Sequence, residues 1–197
     1  MMNDKIGIVF FSKTGTTKLL AGTIAEGVTS KSQLSPLVIE ILPEEIIEGR
    51  YTNHYKLEQL NNCAAIVFGS PTYMGSPAAQ FKAFMDASSE NYCAKAWRNK
   101  LAAGFTSGGS LNGEQQQTLF SFFTLASQHG MIWVGLDVSK HTDNLGLNRT
   151  GSSIGLVASL NKTESAIDSN DLNTGFYFGQ RIAQITETFF LQSKQSK

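Results

Sequence analysis

Residues 6–17 read IGIVFFSKTGTT, an apolar run from Ile6 to Phe11 followed by a turn of hydroxyl-bearing residues and one glycine. An unbroken apolar run of this length is typical of a strand buried on both faces of a parallel sheet. Apolar and small residues then recur at helical spacing from Leu19 to Val28, which predicts a helix that begins near Thr16. Such a strand, turn and helix N-terminus form an anion-binding site, because free backbone N–H groups and the positive end of the helix dipole meet there.

The amino-acid sequence of the turn excludes the two commonest phosphate-binding loops. A P-loop requires a glycine five residues before Gly15, and a dinucleotide-binding turn requires three glycines where this one has a single glycine. The pattern Ser/Thr-x-Thr-Gly-x-Thr resembles the phosphate loop of the flavodoxin superfamily, which implies a terminal phosphate held by O–H and N–H donors. An ordinary helix capped by serine or threonine is the alternative that the residues leave open. The loop consists of Ser12, Lys13, Thr14, Gly15, Thr16 and Thr17.

Composition narrows the class of protein. The chain has 197 residues, of which 41% are hydrophobic, and this predicts one globular α/β domain over residues 1–197. Its 16 basic and 16 acidic residues give a net charge of zero, which argues against nucleic acid as a partner. The N-terminus leads directly into the first strand and no long apolar run follows, so we expect a cytoplasmic protein without a membrane partner. Cys63 and Cys93 lack metal-ligand spacing, so no metal site is expected.

Strands and helices alternate along the chain. The further predicted strands are Pro36 to Leu42, Ala64 to Gly69, Leu101 to Thr106 and Met131 to Leu136. The predicted helices are Tyr55 to Leu60, one capped by Ser76 with Pro77 at its first position, Glu114 to Gln128, and Asp171 to Leu191. The polar segment from Asp137 to Asp171 has a length that usually carries function or disorder. We therefore predict an α/β flavodoxin-like three-layer sandwich, with a five-stranded parallel sheet in 2-1-3-4-5 order and helices on both faces.

Three loops of this sheet are rich in glycine, hydroxyl-bearing residues and proline, namely those after the first, third and fourth strands. In a 2-1-3-4-5 order these strands are neighbours, and ligands bind at the carboxyl ends of such strands. A phosphate loop with two backbone-lined walls fits a mononucleotide with a large planar ring, as in FMN. A plain flexible loop is the alternative for the glycines of the third loop. The second loop contributes Pro71, Thr72, Tyr73, Met74 and Gly75, and the third contributes Thr106, Ser107, Gly108, Gly109, Asn112 and Gly113.

Longer motifs carry a closer resemblance. GSPTYMGS (69–76), NKLAAGFTS (99–107) and QHGMIWVG (128–135) are similar to the WrbA-type NAD(P)H:quinone oxidoreductases of the flavodoxin-like NADPH-dependent FMN reductases, and RTGSSIG (149–155) is a weaker match. The resemblance implies FMN as cofactor, NAD(P)H as electron donor, a quinone-like acceptor, and a homodimer or homotetramer. The first loop follows the flavodoxin spelling rather than that of the WrbA type, and Tyr73 stands where the family commonly has arginine.

The resemblance also assigns roles to single residues. His129 matches the family's flavin-proximal histidine, and Tyr92 takes the position of its ring-stacking tryptophan, which implies a substrate contact. The alternative for His129 is a residue that complements the dipole at a helix C-terminus. No arrangement of nucleophile and base is present, so no catalytic side chain is predicted and the flavin itself would carry the chemistry. We also expect the aromatic stretch of Phe81, Phe84, Tyr92 and Trp97 to form a subunit interface near the site.

The leading hypothesis is thus an FMN-dependent oxidoreductase that passes electrons from NAD(P)H to a quinone or similar acceptor. A flavodoxin-like electron carrier is the alternative, which the zero net charge disfavours because carriers dock through an acidic face. A non-catalytic flavin-binding protein is a third reading that the sequence leaves open.

Overall fold

The computed structural model describes residues 4–139, 141, 144–160 and 166–195. The strands of this part are β1 (Lys5–Phe11), β2 (Ser35–Ile41), β3 (Ile46–Ile47), β4 (Arg50–Tyr51), β5 (Ala65–Tyr73), β6 (Ser76–Pro77), β7 (Leu101–Gly108), β8 (Ile132–Trp133) and β9 (Leu156–Ser159). The helices are α1 (Thr16–Lys31), α2 (His54–Asn61), α3 (Ala79–Ala87), α4 (Ser89–Cys93), α5 (Glu114–Gln128) and α6 (Ser169–Gln195), with a 3-10 turn at Pro43–Glu45. Among the described residues, none of the helices has the length and apolar character needed to cross a membrane.

The central sheet confirms the predicted strand order. Its order is β2-β1-β5-β7-β8, and every one of these pairs is parallel. Counted along the chain, this is the 2-1-3-4-5 arrangement. Strands β1, β5 and β7 are therefore neighbours, and their carboxyl ends present three successive loops at one edge of the sheet.

Helices cover both faces of the sheet. Along β1, Ile6, Ile8 and Phe10 face a core cluster formed with α1 and α6, whereas Val9 and Phe11 face a second cluster formed with α3 and α5. Because both faces of this strand are buried, its sequence reads as a continuous apolar run. The result is the predicted three-layer sandwich.

The fifth position of the sheet differs from the prediction of one strand from Met131 to Leu136. It is split: β8 pairs with Leu101 and Ala102, and β9 pairs with the second half of β7. Two close backbone contacts explain the split. A Cβ on Gly135 would lie 2.5 Å from the carbonyl oxygen of Ser153, and a Cβ on Gly155 would lie 2.5 Å from that of Gly104. The returning chain therefore displaces the strand after Val134 and takes its place beside β7.

The start of α3 also differs from the prediction. Ser76 and Pro77 do not cap the helix, because they form β6 and pair antiparallel with Tyr73 and Thr72. The helix begins at Ala79, with Ala78 as its N-cap. The hairpin turn forces this outcome: Met74 and Gly75 have φ angles of 48° and 75°, and turns with two positive φ angles match the twist of a tight hairpin.

The expected aromatic interface is wrong in three of its four residues. Phe81, Phe84 and Trp97 are buried in the core under the sheet, where Phe81 and Phe84 pack with ring centroids 5.4 Å apart. Only Tyr92 is exposed, by 53%. Helical spacing marks an apolar face but does not say whether that face meets the sheet or another subunit.

Candidate functional site

The first loop, between β1 and α1, presents donors for an anion. Gly15 adopts a left-handed conformation with φ of 88°, which turns the chain into the helix at Thr16. Thr14 and Gly15 are exposed, and the hydroxyls of Thr14 and Thr16 lie 3.3 Å apart. The Ser12 hydroxyl accepts a hydrogen bond from the Lys18 N–H at 3.2 Å, which links the start of the loop to the first turn of α1. The N–H groups that begin a helix lack intrahelical partners, and the loop therefore offers both N–H and O–H donors to a phosphate.

Thr17 occupies a different position from its neighbours. Its side chain is 1% exposed, and its hydroxyl oxygen lies 3.0 Å from that of Ser107 at the end of β7. The sequence placed both residues at the site, but it gave no sign that they bond to each other. This contact ties the first loop to the third.

The second loop is the hairpin turn after β5. Tyr73 is 44% exposed and Met74 is fully exposed, so both side chains are available to a ligand or to a partner. Thr72 lies at the base of the turn, with its hydroxyl oxygen 2.8 Å from that of Thr106 and 2.8 Å from that of Thr118. Pro71 is buried, and its carbonyl accepts the Ser70 hydroxyl at 2.9 Å.

The third loop, between β7 and α5, is hydrogen-bonded to the segment around Thr150 and Ser152, which the sequence analysis did not connect to the site. The Asn112 amide donates to the carbonyl of Thr150 at 2.9 Å, and its oxygen accepts from Gln116 at 2.8 Å. Gln116 also donates to the Ser152 hydroxyl at 2.9 Å. Asn112 therefore braces the loop, and this role was hidden because Thr150 and Ser152 lie more than thirty residues away along the chain.

A slot of about 440 Å³ separates the second and third loops. This volume is within the usual range for small-molecule sites. Of the described residues that line it, three are glycines, so backbone forms much of the wall, and Glu114 is the one with an ionisable side chain. The slot is lined by Thr72, Met74, Gly75, Gly108, Gly109, Ser110, Glu114 and Gln115.

The donor set and the slot fit FMN. The first loop supplies uncharged O–H and N–H groups suited to a phosphate. The slot between the second and third loops, which follow the next two strands of the sheet, has room for a flat ring. Among the described residues, no group of three or more His, Cys, Asp or Glu side chains could hold a metal ion.

His129 and Tyr92 lie at the opposite edge of the sheet. His129 follows the last residue of α5, and a helix of 15 residues separates it from the third loop by about 20 Å. A second cavity of about 440 Å³ lies at this edge and is lined in part by Tyr92, Cys93 and His129. One chain therefore does not bring His129 or Tyr92 to the slot, and their predicted contacts with flavin and substrate stay predictions.

The environment of His129 fixes its protonation. Its ring stacks on Trp97 with centroids 4.3 Å apart, and only 5% of the residue is exposed. Its Nε2 lies 3.0 Å from the hydroxyl of Ser88, which itself donates to the Met85 carbonyl at 2.7 Å. Because the hydroxyl proton is used there, Nε2 carries the hydrogen that Ser88 accepts. Burial lowers the pKa of His129 to about 4, so the ring is neutral at pH 7.

Comparisons with known proteins find similar sequences and structures over most of the chain. The family model described as NADPH-dependent FMN reductase matches residues 12–143. The protein named flavodoxin FldP from Pseudomonas aeruginosa is 38% identical over 189 residues, which cover 92% of this chain and 96% of that protein. A protein of Archaeoglobus fulgidus named NAD(P)H dehydrogenase (quinone) is 30% identical over 197 residues, covering 93% of this chain and 97% of that protein. The crystal structure of a flavodoxin, WrbA-like protein from Agrobacterium tumefaciens superposes with a TM-score of 0.71 at 31% identity, covering 93% and 98% of the two chains.

Proposed function

Because the chain belongs to the NADPH-dependent FMN reductase family, we propose that it is an FMN-dependent oxidoreductase that takes electrons from NAD(P)H and passes them to a quinone or similar acceptor. The observation that carries the proposal is that the hydroxyl-rich first loop follows β1 while the glycine-lined slot lies between the loops that follow β5 and β7, the next two strands, at the same edge of the sheet. FMN, when bound, supplies the hydride chemistry.

The chain's own residues hold and orient the cofactor. Thr14, Thr16 and the first-turn N–H groups of α1 would bind the phosphate, while the exposed amine of Lys13 adds a positive charge nearby. Gly108 and Gly109 let backbone N–H groups approach the ring without a side chain between them. None of these groups needs to exchange a proton for the flavin to carry the chemistry.

An electron carrier is the second candidate, and two observations favour it. The relative that is 38% identical is named a flavodoxin, and the first loop has the flavodoxin spelling. The net charge of zero favours the enzyme, because a carrier that docks through an acidic face needs an excess of carboxylates.

Anaerobic stopped-flow mixing separates the two candidates. The FMN-loaded protein is mixed with NADPH and, separately, with NADH, and flavin absorbance is followed. The enzyme predicts rapid bleaching by at least one nicotinamide, followed by recovery of the colour when benzoquinone is added. Flavin that neither nicotinamide reduces, but that a one-electron donor protein reduces, would establish the carrier instead.

We further propose a cytoplasmic homodimer or homotetramer. Within one chain, His129 and Tyr92 are too far from the slot to touch its ligand, so the contacts implied by the resemblance require the slot of a second copy. The ring of Tyr92 is exposed, and its centroid lies 6.0 Å from that of the His129 ring, which supports this edge of the sheet as the contact surface.

A further inference from the structure

Three threonine hydroxyls from different elements form a continuous chain at the wall of the slot. Thr118 on α5 lies 2.8 Å from Thr72 on β5, and Thr72 lies 2.8 Å from Thr106 on β7. The hydroxyl of Thr106 then donates to the carbonyl oxygen of Ser70 at 2.7 Å. Thr106 and Thr118 are fully buried, whereas Thr72 is partly exposed and lines the slot.

The direction of every hydrogen bond in this chain follows from the last one. A hydroxyl has one hydrogen and two acceptor lone pairs. Because Thr106 gives its hydrogen to the Ser70 carbonyl, its bond with Thr72 requires Thr72 as donor. The hydrogen of Thr72 is then used, so its bond with Thr118 requires Thr118 as donor.

Thr72 consequently keeps one lone pair and no hydrogen for a ligand. We propose that Thr72 accepts a hydrogen bond from an N–H group of the bound flavin ring. Thr106 holds Thr72 in the accepting state by taking its hydrogen, and Thr118 is a positioning residue that fixes the Thr72 hydroxyl by donating to its other lone pair. The oxidised ring carries an N–H at N3, and reduction adds a second at N5, whereas the ring carbonyls need donors that Thr72 does not have. This inference rests on the proposed FMN site. It adds that the wall at Thr72 pairs with an N–H group of the ring and not with a ring carbonyl.

The direct test compares FMN with 3-methyl-FMN, which lacks the N3 hydrogen. Affinity for both is measured by fluorescence titration in the wild type and in Thr72→Val, and the penalty of methylation is taken as the ratio of the two dissociation constants. A bond from N3–H predicts a penalty about 2- to 13-fold larger in the wild type than in the variant, the range expected for one neutral hydrogen bond. Steric effects of the methyl group are present in both proteins and cancel.

A bond from N5–H gives a different signature. Thr72→Val then weakens only reduced FMN, and the midpoint potential falls, by about 30 mV for each tenfold loss. The methylation penalty stays the same in wild type and variant. Either result supports Thr72 as an acceptor, and the pair of measurements says which ring nitrogen is the donor.

The positioning role is tested on Thr118. In a Thr118→Val background, Thr72→Val should change the methylation penalty or the midpoint potential less than it does in the wild type. Thr118→Ser keeps the O–H, so in that background the full effect of Thr72→Val should return. Thr186→Val is the matched control, because Thr186 is equally buried but donates to Ile182 on α6.

Each failure has its own meaning. A wild type that binds no FMN contradicts both this inference and the proposed function. A wild type that binds FMN while Thr72→Val changes neither the methylation penalty nor the potential overturns this inference alone. Equal behaviour of Thr118→Val and Thr186→Val would overturn the positioning role.

Discussion

The hydroxyl of Thr17, at the start of α1, lies 3.0 Å from the hydroxyl of Ser107, near the end of β7, although 90 residues separate them along the chain. Both side chains are almost wholly buried, with 1% and 3% exposure. The contact joins the first loop to the third loop by a bond inside the protein. A change at either residue should therefore affect both loops.

The first prediction concerns this bond in the protein without flavin. Thr17→Ala and Ser107→Ala should each lower the free energy of unfolding by about 1 kcal/mol, the usual net contribution of a hydrogen bond. The double variant should lose little more than one single variant, because both remove the same bond. Urea denaturation of the four proteins measures this coupling. Fully additive losses would show that the two hydroxyls act independently.

The second prediction concerns the exposed part of the first loop, which we propose binds the phosphate. A hydrogen bond to a charged group contributes about 1.5–3 kcal/mol, so Thr14→Ala should weaken FMN binding roughly 10- to 150-fold. Riboflavin, which has no phosphate, should lose much less. Thr29→Ala, an exposed threonine near the other end of α1, is the control. Equal losses for FMN and riboflavin would mean that Thr14 does not contact the phosphate.

The third prediction concerns the brace on the third loop. Gln116→Ala removes the bonds to Asn112 and Ser152, so the wall of the slot should loosen. Loss of two neutral hydrogen bonds corresponds to roughly 1–3 kcal/mol, and affinity should fall about 5- to 150-fold. Gln116→Ala should weaken FMN and riboflavin equally, because the loosened wall holds the ring that both ligands share. This differs from Thr14→Ala, which should weaken FMN more than riboflavin. The exposed neighbour Gln117→Ala should leave both unchanged.

The sheet and the three loops could be predicted because their signals are local. The run from Ile6 to Phe11 shows a strand buried on both faces, and Gly15 marks the turn into α1. Neighbouring strands in a parallel sheet then bring the loops together. None of these steps needs knowledge of which side chains touch.

The features that could not be predicted depend on long-range contacts. The split fifth strand arises where the chain near Ser153 and Gly155 returns to the sheet, and the short β9 has no distinctive pattern. The bond between Asn112 and Thr150 likewise crosses 38 residues. Trp97 looked like a surface residue because an aromatic residue outside a clear helical pattern carries no sign of burial.

The fourth prediction concerns assembly. Light scattering should find a dimer or tetramer at micromolar concentration, with Tyr92 at its contact surface. Tyr92→Ser should weaken the assembly, while Tyr55→Ser, at a still more exposed tyrosine on α2, should not. A wild-type monomer at this concentration would contradict the proposal and would leave His129 without access to any slot.

The last prediction follows from the buried ring of His129. Burial lowers its pKa to about 4 in the folded protein, from an ordinary value of 6.5. Above pH 6.5 the ring is neutral in both states, and its contribution to stability is complete. Between pH 6.5 and 4 the unfolded chain binds a proton that the folded protein does not bind, so stability falls as the pH is lowered, by up to about 3 kcal/mol.

Comparison with His129→Gln isolates the contribution of the His129 ring to the pH dependence of stability. The other titrating groups are common to both proteins and cancel in the difference. Glutamine keeps a donor for Ser88 but cannot titrate, so the wild type should lose stability relative to the variant across this range. His54→Gln, at an exposed position on α2, should follow the wild type. Parallel curves for wild type and His129→Gln from pH 7 to 4 would mean that the folded protein accepts the proton on this ring, and that the ring is accessible to water in solution.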